Sequence, residues 1–578
     1  MMKKSIALIF VCLVSVVLAI VLGSLFLRVK GAYEFSRVTK EILQAENLAE
    51  SCCYFGVEKL NNKLTQEVEA DYSTLTKYWD EDESNGTPLD FLCYLAEVEN
   101  VPNLEFKEGD CLGAQAQSDQ LEILLDEDEL PDDELGGEAL GTDISSITIY
   151  LREREDADEN LPYEFTVSAT ASVNGTTRTV NLIGGEFGIE IEKAKFSRYA
   201  LFTTKHTSPS GSLVWFTDDT KFYGPVHTNG QFCFAFNPGA YFSDVVTQAD
   251  QYARFYNNGW TKERDDDHYG TTDVPTFDAG FTRGITADSL GDSVSKEYVK
   301  NEALSTMSEP SSAGVYLPAN TSSATETIAG TLIGGIYVRG DAEIGLSVDS
   351  TDNAVYTIER RVSWYTTTTT TVTVDRPGNI TTVNDGSATS VYLGVPDGAS
   401  GDGTIIYVSG DIDSLSGTVQ QDTDITITSE DDMFITGNIL YEAYDLDENG
   451  NPTAEGYDNV LGLISWEGDV IIGTTAPNDL SIYAVIMAPN GVFTVYNYDR
   501  GTTRGDVTLL GGVITDKYGA FGTFSSYGAQ TGYGRNFVYD SRMKNMAPPY
   551  FPETSNLTIS APELDDVKNL KMIWREDI

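Results

Sequence analysis

Four patterns of apolar and polar positions follow one another along this chain, and each predicts a different kind of element. Ile6–Leu27 is an unbroken apolar run of 22 residues, with Lys3 and Lys4 before it and Arg28 and Lys30 after it. As a helix it would be about 33 Å long, enough to cross a hydrocarbon core of about 30 Å. A cleaved secretory signal has an apolar stretch of roughly 7–15 residues and then a small-residue site. Here Gly23 and Ser24 are followed by more apolar residues, so the run reads as a retained membrane span. Beyond it, Ile42, Ala45, Ala49, Cys52, Gly56, Leu60 and Leu64 recur every three or four positions, with no Pro or Gly/Ser cluster from Tyr33 to Leu64. That period predicts one long helix with a narrow seam of small residues, of the kind that lets a second helix approach closely.

The second pattern, from 65 to about 140, has little periodicity. It carries the acidic runs Asp126–Glu129 and Asp132–Glu134 and reads as loop. Short alternating segments follow at Ile144–Leu151, Tyr163–Val173 and Arg178–Ile183, the last two joined by Asn174-Gly175. This predicts a small antiparallel sheet with a tight hairpin.

From about Phe196 a fourth pattern begins, in which strand-like blocks end on a β-branched residue, any residue, Gly, Asp or Asn, and an apolar residue. Val338–Ala342, Val408–Ile412 and Ile435–Ile439 fit it, with looser copies at Gly468–Val470, Asn490–Val492 and Gly511–Val513. From Gly410 to Gly512 the steps are 27, 31, 23 and 21 residues. Irregular repeats of that length, each unable to bury its apolar face alone, suggest a parallel β-helix rather than a β-sandwich with long loops. The interval between Gly340 and Gly410 holds the Thr366–Thr371 run and suits a solvent-facing hairpin inserted near 345–400. Trp364 and Tyr365 there either form a binding surface or pack at its base. The predicted fold is mainly β: a parallel β-helix head with a small antiparallel β region on a long N-terminal transmembrane and stalk α-helix. Its divisions are 1–64, 65–195 and 196–578.

Charge narrows the partners. Lys+Arg 37 against Asp+Glu 89 gives a net charge of −52, so a nucleic acid, whose binding depends on basic residues, is excluded. Basic residues flank the run on both sides nearly equally, and the N-terminus is placed inside because the large acidic region follows. The expected location is the inner or cytoplasmic membrane, single-pass with the C-terminal domain outside, at the cell surface or in a pilus. Of six cysteines, Cys12 lies in the apolar run, and Cys93 and Cys111 bracket a short loop suited to a disulfide in an oxidising compartment. Connectivity among Cys52, Cys53 and Cys233 stays open. No Cys/His cluster has zinc spacing.

Two resemblances rest on particular strings. Lys3–Ile9, the apolar run, and the helix containing Ala45–Ser51 together resemble the start of a PilX-like minor pilin. No Gly precedes the apolar run and no Glu lies within it. The resemblance implies a helix that packs among other pilin-like subunits, with a globular head outside. The string Gly224-Pro225-Val226-His227-Thr228-Asn229-Gly230, with Tyr539–Arg542 leading to Pro548-Pro549-Tyr550-Phe551-Pro552, is similar to a bacterial domain family of unknown function found fused to such N-termini. It implies a β-rich surface domain over roughly 196–555 and assigns no chemistry.

Candidate chemistry is sparse. His227 lacks the nucleophile elbow a triad would need and reads as a histidine held by hydrogen bonds in a turn. His268 follows Asp265–Asp267, a solvated acidic loop. Asp445, Asp447 and Asn449 followed by Gly450 match the opening of a calcium loop, with Glu455 one residue short of the expected twelfth-position acid. The competing reading is an acidic turn between coils. Arg504-Gly505-Asp506 is an integrin-type tripeptide that a Gly-Asp corner explains equally well. The 89 acids make chance carboxylate pairs inevitable, so they discriminate no enzyme. The expected function is a minor component of a type IV pilus-like assembly with a head for display or adhesion to a surface or extracellular ligand. The alternatives are a non-polymerising cell-surface adhesin and a polysaccharide lyase or hydrolase on a β-helix.

Overall fold

A computed structural model describes residues 2–64, 66–68, 120–124, 142–153, 163–187, 190–560 with short breaks, and 571–575. The chain is mainly β, with 48% strand and 16% helix. It divides into two compact units: unit 1 is Met1–Lys193 with Ser555–Ile578, and unit 2 is Ala194–Thr554.

Unit 1 is a long helix on an antiparallel sheet. Helix α1 runs without interruption over Met2–Leu64. The sheet orders Gln120–Leu124, Thr142–Glu153, Tyr163–Val173, Thr176–Phe187 and the C-terminal strand Lys571–Arg575, all antiparallel. Asn174 and Gly175 both take positive φ, 51° and 82°, which gives the hairpin its predicted tight turn. Lys571–Arg575 closes the sheet beside Thr179–Ile183, so the chain's last segment belongs here rather than with a region running on to 578.

The helical seam has a different occupant from the one its small residues predict. Ala45, Ala49, Cys52, Cys53, Gly56 and Leu60 are buried against Ile147, Val167 and Leu182 of this chain's own sheet. A Cβ on Gly56 would lie 2.7 Å from Val167 Cγ1, so the glycine lets the helix settle onto the sheet. A flat β surface needs the same absence of bulk as a second helix.

The other half of α1 is bare. Leu18, Ile20, Leu22, Phe26 and Leu27 are each more than half exposed. Among the described residues no helix is long and apolar enough to cross a membrane. Of the run Ile6–Leu27, only Ser15 and Leu18–Leu27 have described side chains, so most of the predicted span lies outside them.

Unit 2 is built on a large mixed sheet with two in-register columns of parallel strands. One column aligns Ile336, Ile406, Ile427, Leu463, Ile486, Val513, Leu201, Val226, Val246 and Phe281, each on its own strand and each buried. A second aligns Ala342, Ile412, Met433, Val470 and Phe493, also buried. Stacking apolar residue on apolar residue along both columns is the source of the long core. The first column is out of sequence order. Leu201–Lys205, the first strand of the unit, lies beside Val513–Lys517 near its end. The strand Thr503–Lys517 has Gly511-Gly512 at its middle; its first half, Thr503–Leu510, pairs with Gly532–Val538 while its second half, Val513–Lys517, accepts the early strand.

The corners between the columns explain the recurring Gly-Asp signal. Asp411 N donates to Asp341 Oδ1 at 3.1 Å, Asp432 N to Asp411 Oδ1 at 2.9 Å, Asp469 N to Asp432 Oδ1 at 2.8 Å, and Val492 N to Asp469 Oδ1 at 2.9 Å. Each carboxylate satisfies the amide at the equivalent corner of the next parallel strand. A Cβ on Gly410 would lie 2.4 Å from Asp341 Oδ1, and one on Gly468 2.4 Å from Asp432 Oδ1. Glycine is therefore needed because the neighbouring corner's carboxylate occupies the space. One sequence copy is displaced: Gly437-Asn438 lies inside the strand Met433–Tyr441, and Asp431-Asp432 takes the corner instead.

Between Ala342 and Leu393 the sheet carries an antiparallel meander, Ala342–Val348, Ala354–Ser363, Thr366–Asp375, Ile380–Asn384 and Thr389–Leu393. The meander falls in the interval where the sequence suggested a hairpin near 345–400. Tyr365, at its turn, is 99% exposed, so it does not pack at the base. Helix α2, Ser293–Leu304, lies against the strands at Ile336–Arg339 and Thr404–Val408.

Candidate functional site

The two strings that the sequence offered from opposite ends of unit 2 meet. A Cβ on Gly224 would lie 2.4 Å from the ring of Tyr539, so only glycine leaves room for that ring. The Tyr539 hydroxyl donates to Arg198 O at 2.7 Å. From there the chain forms a strap over the outer face of the first column. Arg542 clamps the wholly buried Asp540 through Nε at 3.0 Å and Nη2 at 2.7 Å, and reaches Asn459 O with Nη1 at 3.0 Å. Further on, Thr426 Oγ1 donates to Pro549 O, and a Cβ on Gly462 would lie 2.9 Å from both Phe551 and Pro548. The Tyr550 hydroxyl donates to Asp397 O and accepts from Asp402 N at 3.1 Å. Burial pushes that phenol up to about 12, so it acts as a neutral hydrogen-bonding group. The strap is why Val460–Ser465 is buried on both faces.

His227 sits within this junction on the strand Val226–Thr228 and is buried. Its Nε2 is 2.9 Å from Asn229 Oδ1 and its Nδ1 is 2.8 Å from Thr247 Oγ1. Asn229 Oδ1 also accepts from Asp288 N at 2.8 Å, which fixes that atom as an acceptor. The ring is therefore the neutral tautomer with its proton on Nε2, accepting the threonine hydroxyl at Nδ1. Burial pulls its pKa down to about 4, partly opposed by the Asn229 bond. Both ring nitrogens are engaged, and neither is left to act on a substrate.

His206 is a second buried histidine that the sequence did not single out. It is packed among Phe216, Phe232 and Tyr518 with centroids 4.6, 4.9 and 5.4 Å away. Neither ring nitrogen has a hydrogen-bond partner among the described residues, and burial pulls its pKa down to about 3. No local signal marks it, because its cage is assembled from residues between 216 and 518.

The remaining candidates disperse. Of the calcium-loop residues, Asp445, Asn449 and Glu455 lie outside the described residues. Asp447 is described, next to Leu446, which forms an antiparallel bridge with Pro452. Among the described residues no group of three or more His, Cys, Asp or Glu could hold a metal ion. His268, Trp364, Cys93 and Cys111 also lie outside the described residues. Cys52, Cys53 and Cys233 are free and buried. Arg504 of the integrin-type tripeptide is not displayed. Its guanidinium donates to the carbonyls of Gly473 and Ala476 and stacks on Tyr533 at 4.6 Å, while Asp506 N donates to Asp479 Oδ1 at 3.2 Å.

Against known proteins, residues 160–250 match a family described as a domain of unknown function, DUF4900. That interval holds the Gly224–Gly230 string and part of the antiparallel sheet, and it stops well short of the strap. No curated protein matches the chain. Among solved structures it is similar to the competence-associated pilin ComZ from Thermus thermophilus, at 12% identity and a TM-score of 0.30, covering 78% of this chain and 88% of that one.

Proposed function

We propose that this chain is a membrane-anchored, minor-pilin-like subunit of a type IV pilus-like assembly, with unit 2 as a parallel β-helix head for display or adhesion. The observation that carries the reading is the division of α1. One face of Ala45–Leu60 is buried on an antiparallel sheet, while Leu18–Leu27 presents exposed apolar side chains on every side of the helix. Apolar residues all round a helix suit a bilayer, or a bundle of like helices, and not water. The two aligned columns joined by carboxylate-bonded corners support the β-helix reading of the head. Rigid stacked coils give such a head a fixed outline for contact with a surface. No metal or cofactor is required by this role. Calcium at Asp445, Asp447, Asn449 and Glu455 would at most stiffen one turn, and its addition should leave the melting temperature of the head unchanged if that turn is merely acidic.

The test is biochemical. Mass spectrometry of the mature N-terminus should find processing, and purified filaments should contain the chain. Presence in the membrane fraction with absence from filaments would return the non-polymerising adhesin. Breakdown of an acidic polysaccharide by the purified protein would instead restore the enzyme reading.

A further inference from the structure

We infer that the loop Val395–Gly403 is a coupling device that joins the antiparallel meander to the strap, so that a change at either one is felt at the other. The loop lies between the strands Thr389–Leu393 and Thr404–Val408 and belongs to neither. Side chains from three separate elements hold it. From the meander, Arg376 follows the strand Thr366–Asp375 and grips Asp397 with Nη1 and Nη2, each at 2.8 Å. Arg376 Nη2 also donates to Thr404 Oγ1 at 2.6 Å, and that hydroxyl donates to Asp397 Oδ1 at 2.9 Å. From α2, Glu302 Oε2 accepts Ser400 N at 2.8 Å. From the strap, the Tyr550 hydroxyl donates to Asp397 O and accepts Asp402 N at 3.1 Å. Asp397 thus holds the meander by its carboxylate and the strap by its carbonyl.

The strap rests on the backbone of this loop. Gly398 and Gly403 both take positive φ, 75° and 151°. A Cβ on Gly403 would lie 2.8 Å from Pro549 Cγ, and one on Gly398 would strike the Tyr550 hydroxyl. Two adjacent strap residues therefore sit in two glycine seats of one loop. Such close-packed contacts do not deform smoothly, so a shift of the loop unseats both. The strap ends at Pro552, whose carbonyl accepts Phe196 N at 3.0 Å. The loop thereby links the meander to the segment where the chain enters and leaves unit 2.

The Arg376 fork is the grip that decides the loop's position. A two-pronged guanidinium–carboxylate pair fixes orientation as well as distance. The two side chains are only 21% and 16% exposed. Removing the arginine leaves the Asp397 carboxylate mostly buried with only Thr404 Oγ1 to bond it, and a charge stranded in this way draws its segment toward water. That movement carries Gly398 and Gly403 away from Pro549 and Tyr550. Coupling of this kind is reciprocal, so loosening the strap must loosen the Arg376 turn by the same factor.

The experiment is hydrogen exchange of the full chain in detergent micelles, with global stability followed by urea unfolding. Arg376→Met should speed exchange at Tyr550 and Phe551 at least about fivefold, while the central strand Leu480–Ala488 stays as in wild type. Arg376→Lys keeps the charge and loses the fork, so it should act in the same direction with a smaller factor; it also serves if the methionine variant does not fold. Ile358→Val, buried in the same meander between Ile344 and Thr370, should leave the strap unchanged. In the reverse direction, Tyr550→Phe should speed exchange of the Asn379 amide, which donates to Arg376 O at 3.0 Å. Unchanged strap exchange in the folded Arg376 variants, an equal rise in Ile358→Val, or an Asn379 amide indifferent to Tyr550→Phe would each overturn the inference.

Discussion

Single residues at the corners of unit 2 are explained mostly by what lies on the neighbouring parallel strand. Gly410 has no space for a Cβ because Asp341 Oδ1 occupies it, 2.4 Å away. Gly410→Ala should therefore cost about 1–3 kcal/mol in denaturant unfolding, the usual penalty of overpacking. Asp341→Ala in the same chain should recover part of that loss, which a double-mutant cycle would read as coupling. The Gly-Asp recurrence was legible as a corner signal, but the carboxylate's bond to the neighbouring strand was not, since it joins residues up to 70 positions apart. The same blindness misplaced Gly437-Asn438.

The two buried histidines set a dependence on acid. An unfolded histidine takes its proton near pH 6.5, while His206 and His227 resist to about 3 and about 4. Their contribution to stability is complete above about pH 6.5 and is lost progressively as pH falls through the window down to those values. Asp411 and Asp469, whose burial raises their pKa, act in the opposite sense and blunt the loss. His206→Phe fits the cage of Phe216, Phe232 and Tyr518 and should flatten the fall between pH 6 and 4 by up to about 1.4 kcal/mol per pH unit, followed by urea unfolding.

At the scale of elements, the helix and the hairpin were the most legible parts because their signals are local. A period of three to four fixed α1 and its buried face, and Asn174-Gly175 fixed the turn. The partner of the seam was not legible, since small residues suit a sheet as well as a helix. Gly56→Leu should lift α1 from Val167 and expose the neighbouring thiols. Cys53 Sγ now donates to Val167 O at 3.7 Å and Val180 O at 3.5 Å, and burial raises its pKa. A thiol reagent should thus label Cys52 and Cys53 of the variant much faster than those of wild type; equal rates would mean that the helix does not depend on this contact. The strap was legible only as a string. Its Pro-rich composition predicts an irregular segment, and nothing local says that Tyr539 lies under Gly224.

At the scale of the molecule, unit 2 is an insertion whose two ends lie side by side. Phe196 N donates to Pro552 O at 3.0 Å, and Lys195 Nζ is 2.8 Å from Glu553 Oε1. Replacing residues 196–552 by a short flexible linker should therefore leave unit 1 folded, with α1 on its sheet and Lys571–Arg575 in place. Retained protection of Cys53 from the thiol reagent would show this, and its loss would mean that unit 1 depends on its insert. That the chain's end returns to unit 1 could not be read in advance, because a five-residue strand so far from its partner leaves no periodic trace.

The early strand Leu201–Lys205 has one neighbour close by, Val226–Thr228, and the other at Val513–Lys517, more than three hundred residues later. At synthesis rates of about 5–20 residues per second, that second neighbour emerges on the order of tens of seconds after the first. Throughout that interval the side of the strand that pairs with Val513–Lys517 has no partner available. The order in which the chain is made thus leaves Leu201–Lys205 waiting for its late neighbour, and shielding that strand during synthesis should raise the fraction of chain recovered folded.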